Sequence, residues 1–153
     1  ELGESVDKYA RIFAMARDAG LGTTIHTGET KATSGEGVIA VLKHLKPDRI
    51  GHGIRAAYND EALDLLAESG TTLEICPTSN LHTRAVQKLD EFGFILNTFE
   101  DRGVPITINT DGTYLCNTNL KREFKLISDG GFLTASQLET IRKRAFEASF
   151  LEA

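Results

Sequence analysis

Two histidines and two carboxylates in this sequence sit in short segments that also contain glycine. His26 and Glu29 lie in "HTGE", His52 stands between two glycines in "GHG", and Asp111 in "NTDG" is followed directly by Gly112. Imidazole and carboxylate groups bind zinc or iron, and the same groups act as general acids and bases in hydrolysis. If these four side chains meet in the folded chain, they supply a metal site together with its proton-transfer groups.

Each of these residues also has an ordinary structural explanation when it is taken alone. An Asp-Gly pair such as Asp111 with Gly112 commonly forms a turn, a histidine between glycines is often a turn residue, and His-x-x-Glu occurs frequently by chance. A carboxylate at the end of a buried strand, however, is costly to desolvate unless a cation or strong hydrogen-bond donors face it. Convergence of all four residues on one edge of a sheet therefore favours the functional interpretation.

Segments with the apolar pattern of strands alternate with segments of helical periodicity. The predicted strands are GTTIH (22–26), RIGHGI (49–54), TTLEIC (71–76) and PITIN (105–109). A repeated β-then-α order indicates parallel strands covered by helices. His26 ends the first strand, the second strand carries His52 between Gly51 and Gly53, and Asp111 lies just after the fourth. Because the carboxyl ends of parallel strands share one edge, we expect these side chains to meet there.

Capping and termination signals predict the helices. Helices are expected over 5–17, from Ser34 to shortly before Pro47, from Asn59 to Gly70, near 94–102, over 119–128, and after a capping box of Thr134 and Gln137. A polar, helix-prone region also begins near Leu81. Ser34 and Asn59 are placed as N-caps because their side-chain oxygens can accept from the first free backbone amides of a helix. Pro47 and Gly70 are placed as stops.

The composition limits the class of protein. The chain has 153 residues, 41% hydrophobic and 25% charged, which is typical of one soluble globular domain, residues 1–153. Its net charge of −5, without a basic run, argues against nucleic-acid or anionic-membrane partners. No apolar run approaches membrane-spanning length. Cys76 and Cys116 lie apart without metal-binding or redox spacing, so we expect a reducing compartment, the cytoplasm.

At its chemistry-bearing segments the sequence resembles the adenosine deaminase family of the metal-dependent amidohydrolases. The family pattern contains, in order, a His-x-Gly-Glu block, a Gly-His-Gly block, a Glu-x-Cys-Pro-x-Ser segment and an Asn/Ser-Thr-Asp-Asp block. The corresponding segments here are HTGE (26–29), RIGHGI (49–54), LEICPTSN (73–80) and NTDG (109–112), and SFL (149–151) is similar to the family's last helix. The resemblance extends over almost the whole chain.

The resemblance implies a role for each of the four residues. His26 and Asp111 would coordinate a catalytic zinc, which lowers the pKa of water towards neutrality. His52 would hold and help to deprotonate the attacking water, and Glu29 would protonate the purine ring nitrogen beside the reacting carbon. The hydroxide would attack the carbon that bears the amino group, and ammonia would leave. Glu29 must arrive protonated, which apolar surroundings favour.

The sequence departs from the family in two places. The other two zinc ligands of the family form a His-x-His pair, and none of the four histidines here forms one. His44 falls within a predicted helix and His82 in a predicted polar loop, so neither is spaced as a substitute. The family's second aspartate, which contacts the five-membered ring of the purine, is replaced by Gly112. Gly28 and Gly112 are the expected substrate contacts, whereas Cys76 is expected to be a small buried hydrophobe.

The absence of the His-x-His pair is explained if the chain is the C-terminal half of a TIM (β/α)₈ barrel, resembling its strands five to eight. A complete barrel typically needs about 250 residues. Two functions then remain. The first is a zinc-dependent hydrolytic deaminase of adenosine or a related purine nucleoside or base, for which this chain covers the C-terminal catalytic half. The alternative is a non-catalytic half-barrel that self-associates through exposed barrel edges and binds no metal productively.

Overall fold

Four short parallel strands form one sheet in the computed structural model, which describes residues 5–151. The strands are β1 (Thr24–Thr27), β2 (Arg49–His52), β3 (Thr72–Ile75) and β4 (Ile106–Ile108). They are neighbours in the sheet in the order in which they occur in the chain, and all pairs are parallel. The predicted α/β fold, with four parallel strands and covering helices, is confirmed.

Seven helices within the described residues surround this sheet. They are α1 (Ala10–Asp18), α2 (Ser34–His44), α3 (Asp60–Ser69), α4 (Pro77–His82), α5 (Glu91–Asp101), α6 (Leu120–Asp129) and α7 (Ala135–Glu147), with 3-10 turns at Val6–Tyr9 and Ile54–Tyr58. Asn59 caps α3, and Thr134 with Gln137 forms the predicted capping box of α7. Between residues 5 and 151, no helix combines the length and the apolar character that crossing a membrane requires.

The structure differs from the predicted elements in three places. The segment 5–17 is not one continuous helix, because the 3-10 turn Val6–Tyr9 precedes α1. Ser34 is the first residue of α2 with a φ of 48°, and the residue before it takes the cap position. His82, expected in a loop, ends α4, because Pro77 starts a helix directly after β3 with a backbone angle already suited to the first turn.

The apolar core lies between one face of the sheet and the helices. Ile50, Leu73 and Ile106 are aligned across three strands by the register and are fully buried. They belong to one cluster with buried side chains of the covering helices, among them Val38, Leu66, Phe92 and Phe99. Burying an apolar side chain of this size stabilises the fold by about 1.5–3 kcal/mol. The cluster therefore fixes the strands, and with them the strand ends, against the helical layer.

The opposite face of the sheet carries polar side chains. His26 and Glu74 belong to one register row of this face. Arg49 lies with its Nε 3.4 Å from the Glu74 carboxylate, and its guanidinium stacks 3.8 Å from the centroid of the Phe150 ring. The C-terminal segment therefore covers this face beside the first residue of β2, while the His26 side chain at the other end of the strands remains 53% exposed.

Candidate active site

The carboxyl edge of the sheet brings the four predicted side chains together. His26 lies in β1, His52 ends β2, and the register sets Thr27 directly beside His52. The Oε2 atom of Glu29 is 3.4 Å from His26 Nε2 and 3.9 Å from His52 Nε2. On its other side, His52 Nε2 is 3.8 Å from Oδ2 of Asp111. The four side chains thus form a continuous series of contacts from β1 to the end of β4.

Two of these residues have a backbone conformation that side chains rarely adopt. His52 has a φ of 64° and Asp111 a φ of 54°, both in the left-handed region. A non-glycine residue held there costs of order 1–3 kcal/mol, and such strain is concentrated at functional sites. The turn after β2 is held by backbone bonds, since the Gly53 N–H donates to the Thr27 carbonyl at 2.9 Å. The chain turns sharply at both positions and directs the two side chains into the same space.

The Asp111 carboxylate is tolerated just after β4 because it has polar partners there. The Ser79 hydroxyl donates to Asp111 Oδ2 at 2.7 Å, the same oxygen that faces His52. The Asp111 side chain is 48% exposed, so part of its charge is solvated. A strong donor and partial solvation remove most of the cost of placing a carboxylate at a strand end.

His52 is buried, and the orientation of one amide decides which tautomer its ring adopts. Its side chain is only 3% exposed, and the Nδ2 atom of Asn80 lies 3.0 Å from its Nδ1. With its NH₂ group turned towards the ring, this amide donates to Nδ1, and the proton of a neutral imidazole is then on Nε2, facing the two carboxylates. The Oδ1 atom of Asn80 is buried without a hydrogen-bond partner among the described residues. A half-turn of this amide would place Oδ1 against Nδ1 and leave Nε2 able to accept a proton.

Glu29 is buried in surroundings more polar than the sequence predicts. Its Oε1 accepts from the Thr83 hydroxyl at 2.8 Å, while Oε2 faces the imidazoles of His26 and His52. The residue is 7% exposed. The expected burial is present, but polar groups surround both carboxyl oxygens, because β1, β2 and α4 all direct polar side chains to this edge.

Three further residues hold these groups in place, and the sequence alone predicts no role for them. Ser79 and Asn80 lie in α4, and Thr83 follows it. Each of the three bonds a different site residue, and Asn80 is completely buried. The available signal was a dense polar segment, "TSNLHT", placed directly after a buried strand and a proline.

The donor set at this edge suits a divalent metal ion. His26, Glu29 and His52 each offer one ligand atom, and these atoms all lie within 4.8 Å of one another. Imidazole nitrogens and carboxylate oxygens are ordinary zinc ligands. Asp111, which the resemblance names as a ligand, is outside this group and joins it through His52. Position 112 has room for a Cβ atom, which would meet Leu115 at an ordinary 3.5 Å.

Cys76 is not part of the donor set. It is 5% exposed, and its thiol donates to the Glu74 carbonyl at 3.4 Å. Burial, reinforced by the nearby Asp111 carboxylate, raises the pKa of the Cys76 thiol. Since Cys76 is also outside the group of ligand atoms formed by His26, Glu29 and His52, it acts as a small buried side chain.

Position 28 requires glycine because neighbouring atoms leave no room for a Cβ atom. Its φ is 66°, and a Cβ atom there would lie 2.5 Å from Cγ2 of Val38 and 3.1 Å from Cα of Gly53. Its carbonyl accepts from the Arg55 N–H at 2.8 Å. Gly28 therefore lets the loop after β1 approach the turn after β2, which brings Glu29 close to His52.

The chain resembles known proteins along its whole length. A family model described as adenosine deaminase matches residues 1–153. An adenine deaminase of Mesorhizobium japonicum is 38% identical over 152 residues, covering 99% of this chain and 45% of that protein. An adenosine deaminase of Clostridium botulinum is 36% identical over 143 residues, covering 94% of this chain and 42% of that protein.

A solved structure shows the same architecture. The crystal structure of an adenine deaminase from Arthrobacter aurescens matches with a TM-score of 0.87 and 25% identity, over 99% of this chain and 45% of that one. The chain thus spans less than half the length of these relatives. The four strands correspond to part of a (β/α)₈ barrel, as the sequence predicts.

We expect Gly28→Ala to destabilise the protein more than Gly70→Ala does. Gly70 has a φ of 68°, close to that of Gly28, but its Cβ position is empty within 4 Å. Both variants lose about 1–2 kcal/mol to the left-handed backbone, and Gly28→Ala loses about 1–3 kcal/mol more to overpacking. Urea unfolding of both variants and the parent measures the difference. Equal losses would show that the contact with Val38 and Gly53 imposes no constraint.

Proposed function

Because the chain belongs to the adenosine deaminase family, we propose that it supplies the catalytic half of a zinc-dependent hydrolytic deaminase of adenosine or a related purine nucleoside or base, with ammonia as a product. The observation that carries this proposal is the continuous contact of His26, Glu29, His52 and Asp111 at the carboxyl edge. The names of the relatives support both a free base and a nucleoside as substrate, since they include adenine and adenosine deaminases.

The residues present fit a zinc ion, and His26 and Asp111 are its proposed ligands. Both donor types are suitable, and the hydrogen bond from Ser79 orients the Asp111 carboxylate. When bound, zinc lowers the pKa of water and so supplies a nucleophile at neutral pH. Catalytic zinc usually takes three or more protein ligands, so we propose that the remaining ligands come from outside residues 1–153.

Glu29 is the proposed general acid. Its carboxyl lies on the buried side of the cluster, anchored by Thr83 through Oε1 and directed by Oε2 towards the imidazoles. Protonation of a purine ring nitrogen beside the reacting carbon withdraws electrons from that carbon and assists attack by water. A side chain fixed by a hydroxyl on one oxygen can present the other to the substrate without first being ordered.

His52 is the proposed group that holds the attacking water and removes its proton. Nε2 faces Glu29 and Asp111, so a water among these three groups would meet two carboxylates and one imidazole. Acceptance of a proton at Nε2 requires the other tautomer of the ring, which the half-turn of the Asn80 amide provides. The unpartnered Oδ1 of Asn80 is consistent with such a turn, because that atom gains a partner by it.

Gly112 and Gly28 are the proposed substrate-facing positions. Gly112 directly follows Asp111, and the side chains just beyond it, Tyr114 and Leu115, are 94% and 86% exposed. A glycine offers a purine no side-chain acceptor at this position. We therefore propose weaker discrimination among aminopurines than in family members with aspartate there, with a free base or a modified nucleoside among the substrates.

We expect Glu29→Gln to lower kcat for purine deamination by roughly 10²–10⁴-fold, because the amide keeps the size of the side chain but cannot act as a general acid. Zinc content should stay unchanged, since glutamate is not a proposed ligand. Ammonia release and metal analysis of the full-length protein test both points. The exposed residue Glu68 supplies the control variant Glu68→Gln. Activity of Glu29→Gln within about threefold of the parent would remove Glu29 from the mechanism.

We expect Gly112→Asp to sharpen the preference for adenosine. A carboxylate that accepts from the purine edge is worth on the order of 1–3 kcal/mol, and a Cβ atom at this position makes only ordinary contacts. The measurement is kcat/KM for a panel of aminopurine bases and nucleosides, with Gly112→Ala as the control that adds a Cβ without an acceptor. An unchanged selectivity profile would show that a different residue sets the choice of purine.

A further inference from the structure

Glu123 in α6 is a completely buried carboxylate that the proposed reaction does not use. Its Oε2 accepts from the backbone N–H of Thr78 at 2.9 Å. Its Oε1 accepts from the hydroxyl of Thr118. A buried carboxylate is strongly destabilising without such donors, so these two contacts explain how Glu123 is tolerated and where it is directed.

The contact with Thr78 is a helix cap supplied from a distant part of the chain. Thr78 lies in the first turn of α4, where backbone amides have no partner within the helix. Pro77 has no N–H, and Cys76, at the cap position, makes no side-chain capping bond. A carboxylate oxygen is a strong acceptor for a free backbone amide at this end of the helix. The position of α4 is therefore tied to α6.

Three bonds from α4 and the residue after it hold the proposed catalytic groups. Ser79 donates to Asp111, Thr83 donates to Glu29, and the Asn80 amide is hydrogen-bonded to His52. The three residues lie within five consecutive positions. A shift of this short helix would consequently move all three hydrogen-bond partners together.

We infer that Glu123 is a positioning residue for the deaminase reaction, acting by fixing α4 and through α4 the side chains of Asp111, His52 and Glu29. This inference rests on the proposed function. It assigns a role to a residue that is hydrogen-bonded to Thr78 and Thr118 and acts on the reacting groups through α4. Since misplacement of catalytic groups by about 1 Å can cost 10²-fold in rate, the effect should appear in kcat.

The test compares Glu123→Ala and Glu123→Gln with Ile127→Val in the full-length, zinc-loaded protein. Ile127 is fully buried in the same helix, so its truncation lowers stability without a polar contact to α4. We expect Glu123→Ala to lower kcat by roughly 10- to 100-fold with KM within about threefold. Glu123→Gln, which keeps one acceptor, should retain an intermediate kcat. Ile127→Val should keep kcat within about twofold at a comparable fall in Tm.

A second measurement separates positioning from stability. Hydrogen exchange of the backbone amides at 78–83 should accelerate in Glu123→Ala relative to Ile127→Val. Equal kcat values and equal exchange rates in these two variants would overturn the inference. If Glu123→Ala does not fold, Glu123→Gln and Thr118→Val carry the same comparison. Absence of deaminase activity in the parent protein would refute the proposed function instead, and hydrogen exchange would still decide whether Glu123 fixes α4.

Discussion

The hydrogen bonds from α4 and Thr83 to the carboxyl edge are the interactions on which the site depends. His52 and Glu29 are almost fully buried, and each has one close hydrogen-bond partner from this segment. A buried polar group without a partner costs about 1–3 kcal/mol, so loss of these bonds would favour other side-chain positions. The six-residue helix α4 and Thr83 directly after it therefore hold the His52 imidazole and the carboxylates of Asp111 and Glu29 in place.

The same bonds help to maintain a strained backbone. His52 and Asp111 both have left-handed conformations that cost of order 1–3 kcal/mol each. Around His52 the surrounding structure compensates through the close packing of Gly28 against Gly53 and through backbone bonds between the turns. At Asp111 the Ser79 hydroxyl gives the carboxylate a fixed partner. The left-handed backbone and the contacts that stabilise it direct the side chains of His52 and Asp111 into one small space. An extended backbone at the ends of these strands would not bring them together.

The sequence predicts the elements and the site residues better than the contacts between them. Strand positions, the Asn59 cap and the capping box of α7 follow from local patterns, and the strand ends place His26, His52 and Asp111 at one edge. The roles of Asn80 and Glu123 depend on where α4 and α6 meet the sheet, which is a tertiary property. A glutamate in a polar helix such as α6 is typical of an exposed position, yet Glu123 is completely buried. Its burial is explained by the hydrogen bonds from Thr78 and Thr118, and the contact with Thr78 forms only when α4 and α6 pack together.

The proposed zinc ligands are His26 and Asp111, whereas the ligand atoms that lie within 4.8 Å of one another belong to His26, Glu29 and His52. One experiment distinguishes these two sets. The experiment is a crystal structure of the zinc-loaded full-length protein, with anomalous data collected on both sides of the zinc edge. We predict a peak at about 2.0–2.2 Å from a nitrogen of His26 and an oxygen of Asp111, with Glu29 and His52 outside the coordination sphere. A zinc ion bound by Glu29 and His52, or no peak at the carboxyl edge, would contradict the proposed site.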